Sequence, residues 1–355
     1  MRKMNILIKN GRIWDGERFF CGDVFVEDGR IAKIAEKIDE PAFFVIDAEG
    51  MIVSAGLVDL HMHMQGVSAD TIGIPVEASS FPFGVTAVAD GGAEQGDEAL
   101  LKTLQVKNMV FPVARIIEDR LDEEETDQRV ARYGEYTAGV KLYLDDGSKN
   151  ISTGAALQQV CDYAAKRGLR VMVHCNGSPI SMDEIMDTLR PGDILTHIYH
   201  GGKNSAAADD FACLRKGREK GIVLDAGFAA HVHTDMKVLA DALAAGVYPD
   251  TISTDITCYS AFMRGGRYGL TMCMSMARAA GMPEEEIFKA VTTAPAKALG
   301  KAWGRLYEGG VADIAVLAWE KDGFDLTDHA GNRLQSPVGY RCKFTVVDGK
   351  IVFKD

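Results

Sequence analysis

The chain lacks a long hydrophobic run. Nowhere do about 18 apolar residues follow one another, the length a helix needs to cross a bilayer, so no membrane partner is expected. Its opening, "MRKMNILIKNGRIWDG", has charges and a glycine turn where a secretory leader needs an apolar stretch, so none is expected. Cysteine is sparse: Cys21, Cys161, Cys175, Cys213, Cys258, Cys273 and Cys342 are scattered, odd in number and without a C-x-x-C pair. That argues against a disulfide framework and for reduced thiols in a cytoplasmic protein. Basic runs are missing too, and 39 basic against 51 acidic side chains leave a net charge of −12. Nucleic acid and anionic membrane surfaces are therefore not expected as partners.

What is present is a globular composition, 47% hydrophobic and 25% charged. The 355 residues exceed the roughly 250–300 that one core supports, which predicts one large domain and a small one. From residue 4 to about 54 the chain reads as short alternating strands, with Asn10-Gly11 and Asp28-Gly29 as hairpin turns. The C-terminus repeats the style around Asp348-Gly349. Neither end can bury a core alone, which predicts a composite β-sandwich from residues 1–54 and 305–355.

Residues 55–304 read differently. Apolar runs at 52–63, 84–90, 108–117, 139–145, 171–176, 194–200, 222–227 and 251–256 read as strands. Amphipathic stretches at 152–167, 181–190, 206–220, 235–246, 268–280 and 284–299 read as helices, with Ser152 and Ser181 as N-caps. Eight strands alternating with helices over some 250 residues predict an α/β fold, a (β/α)8 barrel of the TIM type.

Five of those runs are interrupted by residues that ligate metals: "GLVDLHMHM", "GVKLYLDD", "VMVHCN", "ILTHIYH" and "TISTDI". His61 and His63, two apart on a strand, face the same way and suit a borderline-soft divalent ion such as zinc. The pattern alone is cheap, since His231 and His233 repeat it; its place at the end of the first barrel strand is what singles it out. Lys141 alternates with Val140 and Leu142 and so falls, with Tyr143 and Asp145, on the barrel interior. An ammonium there must be paired, with Asp90 or Asp145, or neutralised. A neutral amine can add carbon dioxide, giving a carbamate able to bridge two ions. His174, His197 and Asp255 complete six ligand-type residues at five strand ends. Two divalent ions, zinc foremost, would acidify a bridging water and polarise a carbonyl. Asp255 would hold that hydroxide, act as general base, and pass the proton to the leaving atom.

On "VIDAEGMIVSAGLVDLHMH", "GVTAVADGG", "GDILTHIYHG", "GVYPDTISTDI", "VTTAPAKALG" and "GRLYEGGVADIAVL", the chain resembles the amidohydrolase superfamily along nearly its whole length. Within it, the likeness is to the deacetylase/dihydroorotase-like metallohydrolases. The resemblance implies that His61 and His63 bind the more buried metal, and that carboxylated Lys141 bridges. His174 and His197 would bind the second metal, and Asp255 would be ligand and proton shuttle. It also implies a divided β-sandwich and, since such hydrolases often oligomerise, a homo-oligomer. Two positions depart from the nearest group. Phe228 stands where relatives carry the histidine of a Gly-His-Gly, with His231 and His233 just beyond, and Thr257 replaces the histidine of Thr-Asp-Leu-His.

The expected activity is hydrolysis of an amide (N-acyl, N-acetyl or cyclic) or a related ester in a small, anionic substrate. Arg264 and Arg267, flanking two glycines, are candidates for binding its anionic group, and Tyr143 and Asn176 for lining the pocket. Cys175 alternates away from the site, and His200 is a candidate for supporting a ligand. A nucleobase-type deaminase is the alternative; against it stand Lys141 and the lack of a glutamate in "THIYHGGK". A non-catalytic barrel would be expected to have lost ligands.

Overall fold

The structure is a computed structural model that describes residues 5–145, 154–230, 232–263, 267–321 and 323–355. Ile6–Trp14 (β1), Phe19–Glu27 (β2) and Arg30–Ala35 (β3) form an antiparallel meander. Phe44–Asp47 (β4) and Ile52–Ala55 (β5) pair in parallel with successive parts of β1. Asp28 and Gly29 have φ of 51° and 79° and turn β2 into β3, as the dipeptide predicts. Asn10-Gly11 does not turn the chain. It lies inside β1 as a bulge, Asn10 at φ 60° with its N–H donating to Asp23 Oδ1 at 2.8 Å.

The apolar run at 52–63 divides at Gly56, where a Cβ would lie 2.0 Å from Thr86 Oγ1. There the chain leaves the terminal sheet. Leu57–Met62 (β6), Val85–Ala93 (β7) and Lys107–Pro112 (β8) form one parallel sheet. Gly139–Tyr143 (β9), Arg170–His174 (β10), Ile194–Thr196 (β11) and Val223–Asp225 (β12) form another. Parallel bridges Val110–Thr137 and Val113–Lys141 join the two. Asp225–Thr251 and Met62–Ile256 tie the run 251–256 to β12 on one side and β6 on the other. The parallel pairings therefore return to the strand on which they began. Every residue of β6 and β7 is buried, so both faces of these strands are covered.

Three expected elements come out shorter for backbone reasons. The strand at 194–200 stops at Thr196, because His197 turns to φ 69°. The run 251–256 is held by bridges rather than a continuous ladder, Asp255 lying at φ 46°. The helix at 284–299 is two, Glu284–Ala290 and Thr293–Ala298. Pro295 has no N–H to offer the Val291 carbonyl, which instead accepts from Val58 N at 2.8 Å and anchors the break to β6. Ser181 caps Met182–Thr188 in a reciprocal box with Glu184, as expected; Ser152 lies outside the described residues.

The chain ends where it started. Ile314–Glu320 (β13) pairs with β5, Gly339–Val347 (β14) with β13, and Lys350–Lys354 (β15) with β14. Both termini thus share one eight-stranded sheet. Its apolar side chains, among them Ile8, Val24, Val53, Ile314 and Val346, form a cluster of their own. All seven cysteines are free thiols. Among the described residues no helix is long and apolar enough to cross a membrane.

Candidate metal centre

The strand ends bring four imidazoles, one amine and one carboxylate together, and a loop adds a fifth imidazole. His61, near the end of β6, is 1% exposed, with Nε2 3.1 Å from Lys141 Nζ and 3.4 Å from Asp255 Oδ1. His63 Nε2 is 3.0 Å from the same carboxylate oxygen. Gly91, after β7's Asp90, leaves the room: a Cβ there would lie 2.0 Å from the His61 ring. His197 Nδ1 donates to the Gly227 carbonyl at 2.7 Å, so in the neutral ring the lone pair falls on Nε2, 3.8 Å from Asp255 Oδ2. His174 donates from Nε2 to the Asn176 carbonyl at 3.0 Å, and its ring stands 4.5 Å from that of His197.

The positive φ of His197 and Asp255 is the local reason these side chains turn inward. Each ends its run in a conformation that only a few non-glycine residues adopt. Asp255 is locked by its N–H donating to the His61 carbonyl at 2.7 Å.

Two atoms at the centre, His197 Nε2 and Asp255 Oδ1, are buried without a hydrogen-bond partner. Buried polar atoms are seldom left so, and a divalent cation would satisfy both. Ligand atoms of His61, His197 and Asp255, and separately of His174, His197 and His233, lie within 4.8 Å of one another. The donor set of imidazole nitrogen and carboxylate oxygen suits zinc-like ions. Burial, then Lys141's charge, holds the His61 imidazole well below its usual value; burial and neighbouring imidazoles do the same for His174 and His197. Their lone pairs are therefore available at neutral pH.

Lys141 is fully buried and faces neither Asp90 nor Asp145 at ion-pair distance. Among the described residues its Nζ meets only His61 and, 5.3 Å away, the face of Tyr143. Burial draws its pKa down to about 8, against the pull of Asp255, Asp225 and Asp90.

The sequence leaves the role of His233 open, and the structure brings it to the cluster. Its Nε2 is 3.8 Å from Asp255 Oδ2, its ring is 4.3 Å from that of His197, and its Nδ1 meets Asn176 Nδ2 at 2.6 Å. Tyr143 lies 5.6 Å from the His174 ring, so both it and Asn176 adjoin the cluster. Arg267 does not. It is exposed and lines a cavity with Phe83 and Tyr340 whose wall includes none of the cluster's residues. Arg264 and His231 lie outside the described residues. Cys175 points away, its thiol donating to the Thr196 carbonyl at 3.1 Å.

Also missed were two supporting relays. His63 Nδ1 meets Ser68 Oγ at 2.8 Å, which donates to Asp90 at 2.9 Å. His61 Nδ1 meets Thr196 Oγ1 at 3.1 Å, which donates to Asp225 at 2.7 Å. Each paired imidazole is thus oriented by a hydroxyl that a buried carboxylate holds. Thr196→Val keeps the shape and removes the relay. It is expected to weaken zinc binding about 10–100-fold in a chelator competition, with little change in thermal stability.

Over residues 52–352 the chain matches the sequence profile of the amidohydrolase family. The chain belongs to that family. As an amidohydrolase it is a metal-dependent hydrolase of carbon–nitrogen bonds other than peptide bonds. A deacetylase from Enterococcus faecalis is 28% identical over 376 residues, covering 98% of each chain. The fold is shared with crystal structures of a dihydroorotase and an adenine deaminase. The first has a TM-score of 0.84 at 24% identity over 98% of each chain. The second has a TM-score of 0.84 at 23% identity over 99% of each.

Proposed function

We propose that this amidohydrolase cleaves an N-acyl, N-acetyl or cyclic amide, or a related ester, of a small molecule in the cytoplasm. His61, His63, His174, His197 and Asp255 would hold two divalent ions, zinc first among them, and carboxylated Lys141 would bridge them. The observation that carries this reading is the convergence of these six residues on the unpartnered His197 Nε2 and Asp255 Oδ1. The deacetylase relative supports the substrate class. We read the closed run of parallel pairings as a (β/α)8 barrel over residues 55–304. The shared terminal sheet we read as a small sandwich-type domain of residues 1–54 and 305–355.

Bound ions would supply Lewis acidity to the carbonyl oxygen and acidity to water. The chain supplies the rest. Asp255 takes the water's proton as its oxygen adds to the carbonyl carbon, and returns it to the leaving nitrogen as the C–N bond breaks, giving an amine and a carboxylic acid that loses its remaining proton to solvent.

Plasma mass spectrometry of protein purified without added metal is expected to find close to two equivalents of zinc, manganese or iron per chain. Turnover would then be sought among N-acyl amino acids, cyclic amides and acyl esters. About one equivalent would favour the deaminase reading, and none, with no uptake from zinc and bicarbonate, would overturn the metal-dependent one.

A further inference from the structure

We infer that the cavity beside the metal cluster, bounded by Asn176, His200 and Gly202, receives the part of the substrate that does not react. There it selects a nitrogen group that donates hydrogen bonds, an amide or an ammonium, over a carboxylate. The inference rests on the hydrolase reading above and names the class of group its substrate carries.

The cavity holds about 310 Å³, and its wall includes Asn176 and His233, both in contact with the cluster's residues. A molecule whose scissile bond lies at Asp255 can therefore extend into it. His200 is 1% exposed, and neither ring nitrogen has a hydrogen-bond partner. A buried imidazole without partners costs stability that an ordinary core residue would not, which marks a side chain kept for a ligand. The backbone that carries the ring is held: His200 N donates to the His197 carbonyl at 3.2 Å, and its carbonyl accepts from Ser205 Oγ at 2.6 Å.

Gly202 shows where the ligand group would sit. A Cβ at that position would stand 3.2 Å from Asn176 Oδ1 and 3.5 Å from His200 Nδ1, so two polar atoms border the space that glycine leaves empty. Asn176 Oδ1 accepts; its Nδ2 is already taken by His233. At Asn176 Oδ1 the complement is a donor, which an amide or ammonium nitrogen supplies.

Charge points the same way. Asp235 and Asp328 line the cavity, and among the described residues no lysine or arginine does. A carboxylate would enter a space with two anions on its wall and, among the described residues, no lysine or arginine to meet it.

The test uses metal-loaded protein and three small probes, propionamide, ethylammonium and propionate, with binding read by saturation-transfer NMR. Propionamide or ethylammonium is expected to bind the wild type and to lose about tenfold in affinity in Gly202→Ala, whose methyl fills the space, and in His200→Phe. Propionate, which metal ions attract, is expected to respond equally to wild type and Gly202→Ala. Gly202→Ala needs no change of backbone conformation, so it serves if His200→Phe fails to fold. The inference is overturned if neither nitrogen probe binds, if both variants bind them as the wild type does, or if propionate affinity falls with theirs. Failure of the hydrolase reading would show separately, as wild-type protein without bound metal.

Discussion

Methionine at position 141 is expected to remove one metal ion from the enzyme and about a thousandfold or more of kcat/KM, some 4 kcal/mol of transition-state stabilisation. The choice of methionine matters. Lys141 is completely buried, so alanine would open a cavity and confuse folding with chemistry, whereas methionine keeps most of the volume and drops only the amine. A lysine kept here for its positive charge should face a carboxylate. Among the described residues it faces an imidazole nitrogen at 3.1 Å and an aromatic ring instead. Burial answers by favouring the neutral amine, the form that adds carbon dioxide. With a pKa of about 8, the neutral fraction rises roughly fiftyfold between pH 6 and pH 8. Reconstitution of metal-free protein with zinc and bicarbonate should therefore be faster at the higher pH, and the imidazoles, already neutral, should not limit it. Labelled bicarbonate should give a carbamate resonance in the wild type and none in Lys141→Met. If the variant kept both ions and its rate, the bridging role would be wrong.

The residues legible in advance share one property: each interrupts an apolar strand run. A strand alternates its faces, so a histidine or lysine among valines and leucines stands out, and six such residues could be placed at strand ends from the pattern alone. His233 could not. It lies eight residues beyond the end of β12, outside any strand run, and only the path of the loop brings it to His197. Ser68, Thr196, Asp90 and Asp225 were hidden for a different reason: a hydroxyl or carboxylate in a strand or loop has many uses, and only contact shows which ring it orients. Backbone conformation was the least visible. The same kind of dipeptide gives a turn at Asp28-Gly29 and a bulge at Asn10-Gly11, because in the second case Asp23 captures the amide. Likewise nothing in the composition shows that His197 and Asp255 leave the strand conformation at the moment they enter the site. Arg267 lines a cavity that the cluster's residues do not border, and a loop's glycines and arginines do not say which side of the fold the loop serves.

Asparagine at position 255 is expected to lower kcat by about 10²–10⁴ while KM changes little. The substitution is nearly isosteric, and it respects the backbone: φ is 46° at this position, a region asparagine enters more readily than alanine does. The N–H donated to the His61 carbonyl is retained, so the loop should hold its course. What is lost is the one carboxylate that four imidazoles surround, with nitrogens of His61 at 3.4 Å, His63 at 3.0 Å, and His197 and His233 at 3.8 Å. An amide there neither accepts a proton from water nor returns one to a leaving nitrogen. Because Asp255 lies at the reacting end, apart from the cavity that takes the rest of the substrate, the loss should fall on kcat. A residue that only helped to hold metal would behave otherwise: its loss would be recovered by saturating zinc. Measuring kcat for Asp255→Asn across a zinc titration separates the two roles. A rate that stays low with metal content restored supports the proton-transfer role, and a return to within about tenfold of wild type would reduce Asp255 to a ligand alone.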